Sequence, residues 1–214
     1  IGERLSEIVA TGLLFLSAIL GAIILFQIAS APNPQPFTVP VFTWIASGEL
    51  RIPWALRYDT LSAVMVFVVT FCSAFIHLYS IGYMHGDGGI PRFFAYLSLF
   101  TFAMLMLVTA DNFVQMFFGW EGVGLCSYFL IGHYCDRDSA NAAAIKAFVV
   151  NRVGDFGFAL GIFAVFMIFG SLDFAVVLPA AEGLAGKKIA FAGATVDGQY
   201  ALTVTCILLF IGAM

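Results

Sequence analysis

The sequence predicts an all-α fold, a polytopic bundle of transmembrane helices with a short extramembrane hairpin between the first two helices. Hydrophobic residues make up 62% of the chain, charged residues only 10%, and the mean hydropathy is +1.01. Soluble domains contain roughly a quarter charged residues. The apolar runs are long and uninterrupted, which is typical of membrane helices and not of the alternating strands of a membrane barrel.

Apolar run lengths and helix-breaking residues predict the helices in order, because each crossing needs about 20 apolar residues. The predicted ranges are about 8–30, 60–82, 93–110, 112–134 and 142–169, with an incomplete helix at about 200–214. Prolines between 32 and 36 end the first helix, and the alternating residues that follow predict an extramembrane hairpin within 31–58. Asp59 and the pair Asp111 and Asn112 precede helices as capping residues. Residues 170–199 are rich in Gly and Ala, which predicts a long connection between helices.

Charge and cysteine usage exclude several classes of function. The net charge is −4 and the charges are scattered, so no nucleic-acid partner is expected. Apart from Arg152, the Lys and Arg residues are equally divided between the two sides, four on each, and the short loops favour a cytoplasmic location for Arg92 and Arg137. The histidines and cysteines show no metal-ligand spacing, so we expect no metal; the histidines are His77, His85 and His133. Three of the four cysteines, Cys72, Cys126 and Cys206 but not Cys135, lie within apolar runs, so we expect buried free thiols there.

Glu121 is the most informative residue, because it lies near the middle of the predicted helix 112–134 among apolar neighbours. An acid at mid-helix costs about 2.5–3.5 kcal/mol on insertion scales, so it normally faces a partner or water inside the bundle. Burial favours the protonated acid and a nearby cation favours the ionised one. A movable cation would therefore make Glu121 a proton relay. The alternative is a structural Glu that fixes helix contacts.

A second group of polar residues lies about ten residues into the apolar part of the helix 142–169. Arg152 and Asp155 are three residues apart, so their side chains can meet, and Asn151 lies on nearly the same face. The alternative to function is a pair that only neutralises itself. Lys146 is closer to the helix start, where its side chain could equally reach the membrane surface. If these residues and Glu121 face the interior, they form a polar row at mid-depth.

Glycines occur on the same two helices, at Gly119, Gly122 and Gly124 and at Gly154, Gly157 and Gly161. A dinucleotide-binding loop needs a preceding strand in a soluble βαβ unit, so these glycines predict close helix packing instead.

Two motifs, in this order, resemble a known family. Residues 111–134 read DNFVQMFFGWEGVGLCSYFLIGHY and residues 146–155 read KAFVVNRVGD. The chain resembles the large, distal antiporter-like membrane subunit of proton-translocating NADH:quinone oxidoreductase, respiratory complex I. The resemblance extends to RFFAY at 92–96 and to the hairpin. It implies a fragment of a larger antiporter-like bundle, with one further helix before this sequence and a longer remainder after it. The lack of an initial Met and the short apolar run 202–214 favour the same expectation.

The resemblance also implies roles for individual residues. Glu121 matches the family's proton-transfer acid, and Arg152 and Asp155 match a segment linked to coupling. Lys146 matches the Lys that precedes that segment, and Asn151 stands where many relatives have Thr. The family pairs its acid with a Lys on a later broken helix, which would lie beyond Met214.

The same resemblance implies that this chain binds no cofactor itself. NADH, flavin, iron–sulfur clusters and quinone would belong to other subunits, because the sequence contains no cluster-ligating Cys spacing and no nucleotide loop. Its partners would be other membrane subunits, especially a neighbouring antiporter-like subunit, in the lipid bilayer of a bacterial cytoplasmic or mitochondrial inner membrane. One alternative is a subunit of a multi-subunit sodium/proton antiporter, which the sequence GVGLCSY at 122–128 disfavours. Another is a passive scaffold, which leaves the buried charges unexplained.

Overall fold

The computed structural model describes residues 2–32, 35–48, 50–184, 186–191 and 193–214. The elements in chain order are α1 Glu3–Ser30, β1 Phe37–Ser47, β2 Leu50–Tyr58, α2 Thr60–Tyr83, α3 Ile90–Val108, α4 Phe113–Ile131, α5 Asp138–Phe169, α6 Phe174–Glu182, β3 Lys188–Phe191, β4 Ala194–Asp197 and α7 Gly198–Ala213. Helices α1 to α5, five within the described residues, are long and apolar enough to cross a membrane. The predicted fold class is confirmed, and the chain is an integral membrane protein.

Capping side chains determine where two of the membrane helices begin. Asp59 Oδ1 accepts the backbone N–H of Ser62 at 2.8 Å, and Ser62 Oγ accepts the backbone N–H of Asp59 at 2.7 Å. This reciprocal capping box satisfies two N–H groups that have no partner inside α2. At α4 the cap is Asn112 rather than Asp111, because Asn112 Oδ1 accepts the N–H of Gln115 at 2.8 Å.

Strands β1 and β2 form an antiparallel hairpin with Gly48 in its turn at a φ of 59°. The hairpin is held against the start of α4, where Asn112 Nδ2 donates to the carbonyl oxygen of Pro53 at 2.9 Å. In addition, Gln115 Oε1 accepts the N–H of Ala55 at 3.1 Å. These two bonds satisfy buried polar groups of both partners, so the hairpin has a defined place at this end of the bundle, which we call the hairpin end.

The region 170–199, which the sequence predicts only as a connection, contains α6 and the antiparallel pair β3–β4. Buried Val177 of α6 packs in an apolar cluster with Phe113 and Leu172, and the ring of Phe174 lies 4.7 Å from that of Phe113. Helices this short are marginal alone. Contacts with the start of α4 stabilise α6, and a search for long apolar runs does not detect such contacts.

Helix α4 lies between α3 and α5, and α5 also packs along α7. Glycines permit the close approach: a Cβ on Gly119 would lie 2.5 Å from the backbone nitrogen of Leu107 on α3. On α5, a Cβ on Gly157 would lie 2.6 Å from Ile211 Cγ2 of α7. The packing role predicted for these two glycines is confirmed. It determines which face of α4 and α5 remains for polar side chains.

Candidate functional site

Glu121 is the ninth residue of α4, with about 12 Å of helix before it and about 15 Å after it at 1.5 Å per residue. Its side chain is 26% exposed in the described chain. Arg152 Nη1 of α5 donates to both carboxylate oxygens of Glu121. The structure therefore joins the mid-helix acid of α4 to a cation on the neighbouring helix.

Asp155 is the second acid that Arg152 contacts. Arg152 Nη1 lies 3.5 Å from Asp155 Oδ2, and the Asp155 side chain is only 7% exposed. Its other oxygen, Oδ1, accepts the indole N–H of Trp120 at 3.0 Å. The interpretation that Arg152 and Asp155 only neutralise each other is wrong, because Arg152 also binds Glu121. These four side chains are called the ion cluster below.

The charges of the ion cluster do not balance when both acids are ionised. Two carboxylates and one guanidinium then have a net charge of −1, and arginine stays protonated in proteins. Binding of one proton makes the cluster neutral. Net charge is costly at membrane mid-depth, so the neutral, singly protonated cluster is the less expensive state there. The arrangement is suited to take up and release a single proton.

Trp120 and Phe148 are members of the site that the sequence analysis did not identify. The Arg152 guanidinium lies over the Phe148 ring, with its Cζ 4.8 Å from the ring centroid. The ring centroids of Trp120 and Phe158 are 5.6 Å apart. Phe148 precedes Arg152 by four residues, the spacing at which helix side chains meet. A buried indole N–H normally has a hydrogen-bond acceptor, so a Trp in an apolar helix next to Glu121 could have indicated that Trp120 belongs to the site.

Lys146 is not part of the ion cluster. It is exposed on α5, six residues or about 9 Å before Arg152, and it forms no ion pair with any described residue. Asn151 is likewise exposed, and it lines a cavity next to the cluster without joining its ion pairs. The structure thus brings three of the four predicted charged residues together and places the fourth towards the helix start.

A cavity of about 300 Å³ lies beside the ion cluster. Its lining includes Trp120, Asp155, Asn151 and Ser127, together with apolar residues of α3 and α7. At about 30 Å³ per molecule it has room for several waters, and its polar side chains offer the partners that buried water needs. Asp155 therefore borders a space in which protons can move along water.

The thiols and histidines of the described residues make no comparable cluster. Cys126 is buried, whereas Cys72, Cys135 and Cys206 are exposed, and all four are free. The predicted burial is wrong for Cys72 and Cys206, because an apolar run also has an outward face. Among the described residues, no three His, Cys, Asp or Glu side chains approach closely enough to hold a metal ion.

Two family models match the chain. The first, described as the N-terminus of NADH-ubiquinone oxidoreductase (complex I) chain 5, matches residues 44–94. The second, described as the transmembrane region of NADH:quinone oxidoreductase and Mrp antiporters, matches residues 110–214 and includes the ion cluster. The chain is 51% identical to NADH-quinone oxidoreductase subunit L of Rhodobacter capsulatus over 221 residues. The chain belongs to the subunit L/chain 5 family of complex I. The resemblance seen in the sequence motifs is confirmed.

Further members of this subunit L/chain 5 family match with similar identity. The chain is 45% identical to subunit L of Rickettsia bellii and 44% identical to NADH-ubiquinone oxidoreductase chain 5 of Marchantia polymorpha. All of the chain is covered in each case, but only 30% of the Rhodobacter protein, 33% of the Rickettsia protein and 32% of the Marchantia protein. The chain thus spans about a third of the length of these curated relatives.

Solved structures share the fold of the chain. The Mrp complex from Dietzia sp. DQ12-45-1b matches with a TM-score of 0.70 and 21% identity, over 100% of this chain and 23% of that one. The membrane-bound sulfane sulfur reductase, an archaeal respiratory membrane complex, matches with a TM-score of 0.73 and 15% identity, over 96% and 38%. At such identities the likeness concerns the fold alone.

Proposed function

We propose that the chain is part of a proton-translocating membrane subunit of an NADH:quinone oxidoreductase, in which Glu121 takes up and releases a proton. The observation on which this rests is the ion cluster, in which one guanidinium faces two carboxylates near the middle of membrane helices. Such a cluster is one proton short of neutrality when both acids are ionised. It therefore has a physical reason to bind a proton in the membrane.

Arg152 provides the coupling in this proposal. Its guanidinium contacts both Glu121 and Asp155, and a shift towards either acid stabilises the ionised form of that acid. The proton is then favoured on the other carboxylate. The indole of Trp120 also donates to Asp155 Oδ1, so this carboxyl keeps a hydrogen-bond donor when Arg152 moves towards Glu121. A displacement of one side chain can thus move a proton between helices.

Partners and cofactors follow from the proposed complex. The relatives are named as subunits of oxidoreductases, so the chain would work with other membrane subunits, including a neighbouring antiporter-like one. NADH, flavin, iron–sulfur clusters and quinone would be bound by other subunits. The relatives come from bacteria and from plants, which agrees with a bacterial cytoplasmic membrane or a mitochondrial inner membrane. Lys146 is retained in the proposal as a residue that passes charge along α5 from the start of the helix towards Arg152.

A second candidate function is a subunit of a multi-subunit sodium/proton antiporter. The similarity to the fold of the Mrp complex favours it, and one of the matching family models includes Mrp antiporters. The identity of 51% to a subunit L, against 21% to the Mrp chain, favours the oxidoreductase. Proton transport that requires NADH and quinone supports the first candidate, whereas NADH-independent exchange of Na⁺ for protons supports the second.

The test is Glu121→Gln in the full-length protein within its assembled complex. Gln keeps the size and the hydrogen-bond acceptor but cannot bind the transported proton. We expect assembly to be retained and NADH-driven acidification of membrane vesicles, followed with a pH-sensitive dye, to fall to a small fraction of the wild-type rate. Glu182→Gln, which changes an exposed acid at the end of α6, is the matched control. Unchanged transport in Glu121→Gln would leave the passive scaffold as the explanation.

A further inference from the structure

A second titratable group lies at the opposite end of α4 from the hairpin, where the helix leaves the membrane. His133 comes two residues after Ile131, the last residue of α4, and is only 4% exposed. It comes twelve residues after Glu121, which corresponds to about 18 Å along a helix axis. His133 is therefore near one surface of the bundle and on the same chain segment as the mid-membrane acid.

Asp87, in the turn between α2 and α3, faces His133. The distance from His133 Nε2 to Asp87 Oδ1 is 3.7 Å. Asp87 Oδ1 accepts the backbone N–H of Gly89 at 2.7 Å, and a Cβ on Gly89 would lie 3.0 Å from His133 Cε1. The Gly89 N–H holds the pKa of Asp87 below its usual range; desolvation opposes this, and His133 and Tyr134 add to the lowering. An ionised carboxylate thus stands beside the imidazole at neutral pH.

The other ring nitrogen of His133, Nδ1, is buried and has no hydrogen-bond partner among the described residues. His77, the buried histidine of α2, differs in this respect. Its Nδ1 lies 2.8 Å from the carbonyl oxygen of Ser73 and its Nε2 lies 3.3 Å from Ser98 Oγ. Buried polar atoms are normally paired, so an unpaired nitrogen on a proton-exchanging side chain points to a transient partner.

His133 also lines a cavity of about 500 Å³ whose other polar lining residues include Arg92, Tyr128 and Asn141. This cavity lies between α3, α4 and the start of α5. The cavity beside the ion cluster is lined by Ser127, the residue next to Tyr128 on α4. Both cavities follow the contact between α4 and α5, one near the surface and one at mid-depth. The two cavities place polar lining residues at the His133 end of this contact and beside Asp155.

We propose that His133, assisted by Asp87, is the group that exchanges protons between water at this surface and the cavities along α4 and α5. This rests on the proposed function. A proton from water binds Nε2 and forms an imidazolium next to Asp87. A small rotation of the ring then brings the buried Nδ1–H to the cavity, where its proton passes to water. The ring is left neutral in the opposite tautomer, and rotation of the ring resets it without returning the transferred proton. No proton is gained or lost overall.

The remaining charged and titratable groups around His133 agree with such a role. The Arg92 guanidinium of α3 donates to the His133 carbonyl oxygen at 3.0 Å, which fixes the backbone of the residue. The Arg137 guanidinium lies 5.0 Å from the ring centroid of Tyr134. Asp136 and Asp87 border one further cavity of about 610 Å³, which His133 also lines. The acids attract protons to this surface, and the two arginine side chains contact the His133 carbonyl oxygen and the Tyr134 ring rather than the imidazole.

The experiment replaces His133 by Gln in the assembled full-length complex and measures the initial rate of NADH-driven proton transport in membrane vesicles between pH 6 and pH 8.5. Gln cannot exchange a proton but keeps a polar side chain. We expect a loss of about tenfold at the alkaline end, since local proton-collecting groups raise association rates by roughly that factor or more. Free imidazole in the buffer should restore most of the rate, because it replaces the missing proton carrier. The control is His85→Gln, which changes an exposed histidine in the turn that contains Asp87 and should leave the transport rate unchanged.

Each result decides the question. A normal rate at every pH overturns the role of His133, and so does a loss that imidazole does not restore, since that loss is structural. If His133→Gln does not assemble, Asp87→Asn takes its place, because Asn keeps an acceptor for Gly89, and an unchanged rate in that variant again overturns the proposal. Glu121→Gln distinguishes failure of this inference from failure of the proposed function. Blocked transport in Glu121→Gln with normal transport in His133→Gln refutes only this inference, whereas normal transport in Glu121→Gln refutes the proposed function.

Discussion

Removal of the only cation of the ion cluster, Arg152, should lower the free energy of unfolding. Removal of one of the two acids as well should restore part of that loss. Arg152→Gln leaves two carboxylates, one of them only 7% exposed, without a cation. At the observed 3.5 Å between Arg152 Nη1 and Asp155 Oδ2, the Coulomb attraction is about 4–5 kcal/mol at an effective dielectric constant of ~20. The Arg152 side chain is 47% exposed in the described chain, so screening reduces the expected loss to about 1–3 kcal/mol.

Asp155→Asn is the second half of the cycle. Asn retains an oxygen that can accept the Trp120 indole N–H, so this substitution removes the charge and little else. The double variant Arg152→Gln/Asp155→Asn has a single carboxylate, Glu121, which one proton neutralises. We therefore expect the double variant to be at least as stable as Arg152→Gln alone, with a coupling energy of about 1–2 kcal/mol.

The assay is equilibrium unfolding of the full-length subunit in mixed micelles, with increasing sodium dodecyl sulfate and circular dichroism as the signal. Arg4→Gln, an exposed cation at the start of α1, is combined with Asp155→Asn as the matched control and should be additive. If the losses of Arg152→Gln and Asp155→Asn add to within about 0.5 kcal/mol in the double variant, the shared-cation argument is refuted.

Two further predictions concern packing and capping. Gly119→Ala should lower stability by about 1–3 kcal/mol, because its Cβ would lie 2.5 Å from the Leu107 nitrogen. Gly124→Ala, whose Cβ would have its nearest atom at 3.7 Å, should be tolerated in the same unfolding assay. Asp59→Ala should cost about 1 kcal/mol through the lost cap of α2. Desolvation alone would raise the pKa of Asp59, but the Ser62 hydrogen bonds and Arg57 lower it overall. The contribution of Asp59 is therefore present above the unfolded-state value of about 3.9 and lost as the pH falls through the lower folded value, and a pH-independent loss in Asp59→Ala would contradict this.

The sequence by itself determined the class of the protein and its most unusual residue. Hydropathy and run length are local properties, and an apolar segment of sufficient length can satisfy its backbone only as a helix in lipid. The position of Glu121 in such a segment is equally local, as is the capping role of Asp59. The motifs around Glu121 and Arg152 were sufficient to identify the family, because their residue types and order are specific.

The tertiary structure decided which polar side chains meet. Spacing alone allowed Arg152 and Asp155 to close on each other, whereas the contact of α5 with α4 brings Glu121 to the same guanidinium. Trp120 gained its acceptor from the neighbouring helix, and Lys146 was left outside because it lies on another part of α5. The rotation of one helix about its axis relative to another depends on close packing at glycines, which sequence periodicity does not specify.

The approach of His133 to Asp87 shows the same limit over a longer separation. The two residues lie in different turns at one end of the bundle, and their distance of 3.7 Å depends on how α3 and α4 pack. The predicted helix range 112–134 placed His133 at a helix end. Only the packed helices show that its ring is buried, that one nitrogen has no hydrogen-bond partner among the described residues, and that a cavity extends from it along α4. Burial and pairing depend on neighbours that are distant in the chain.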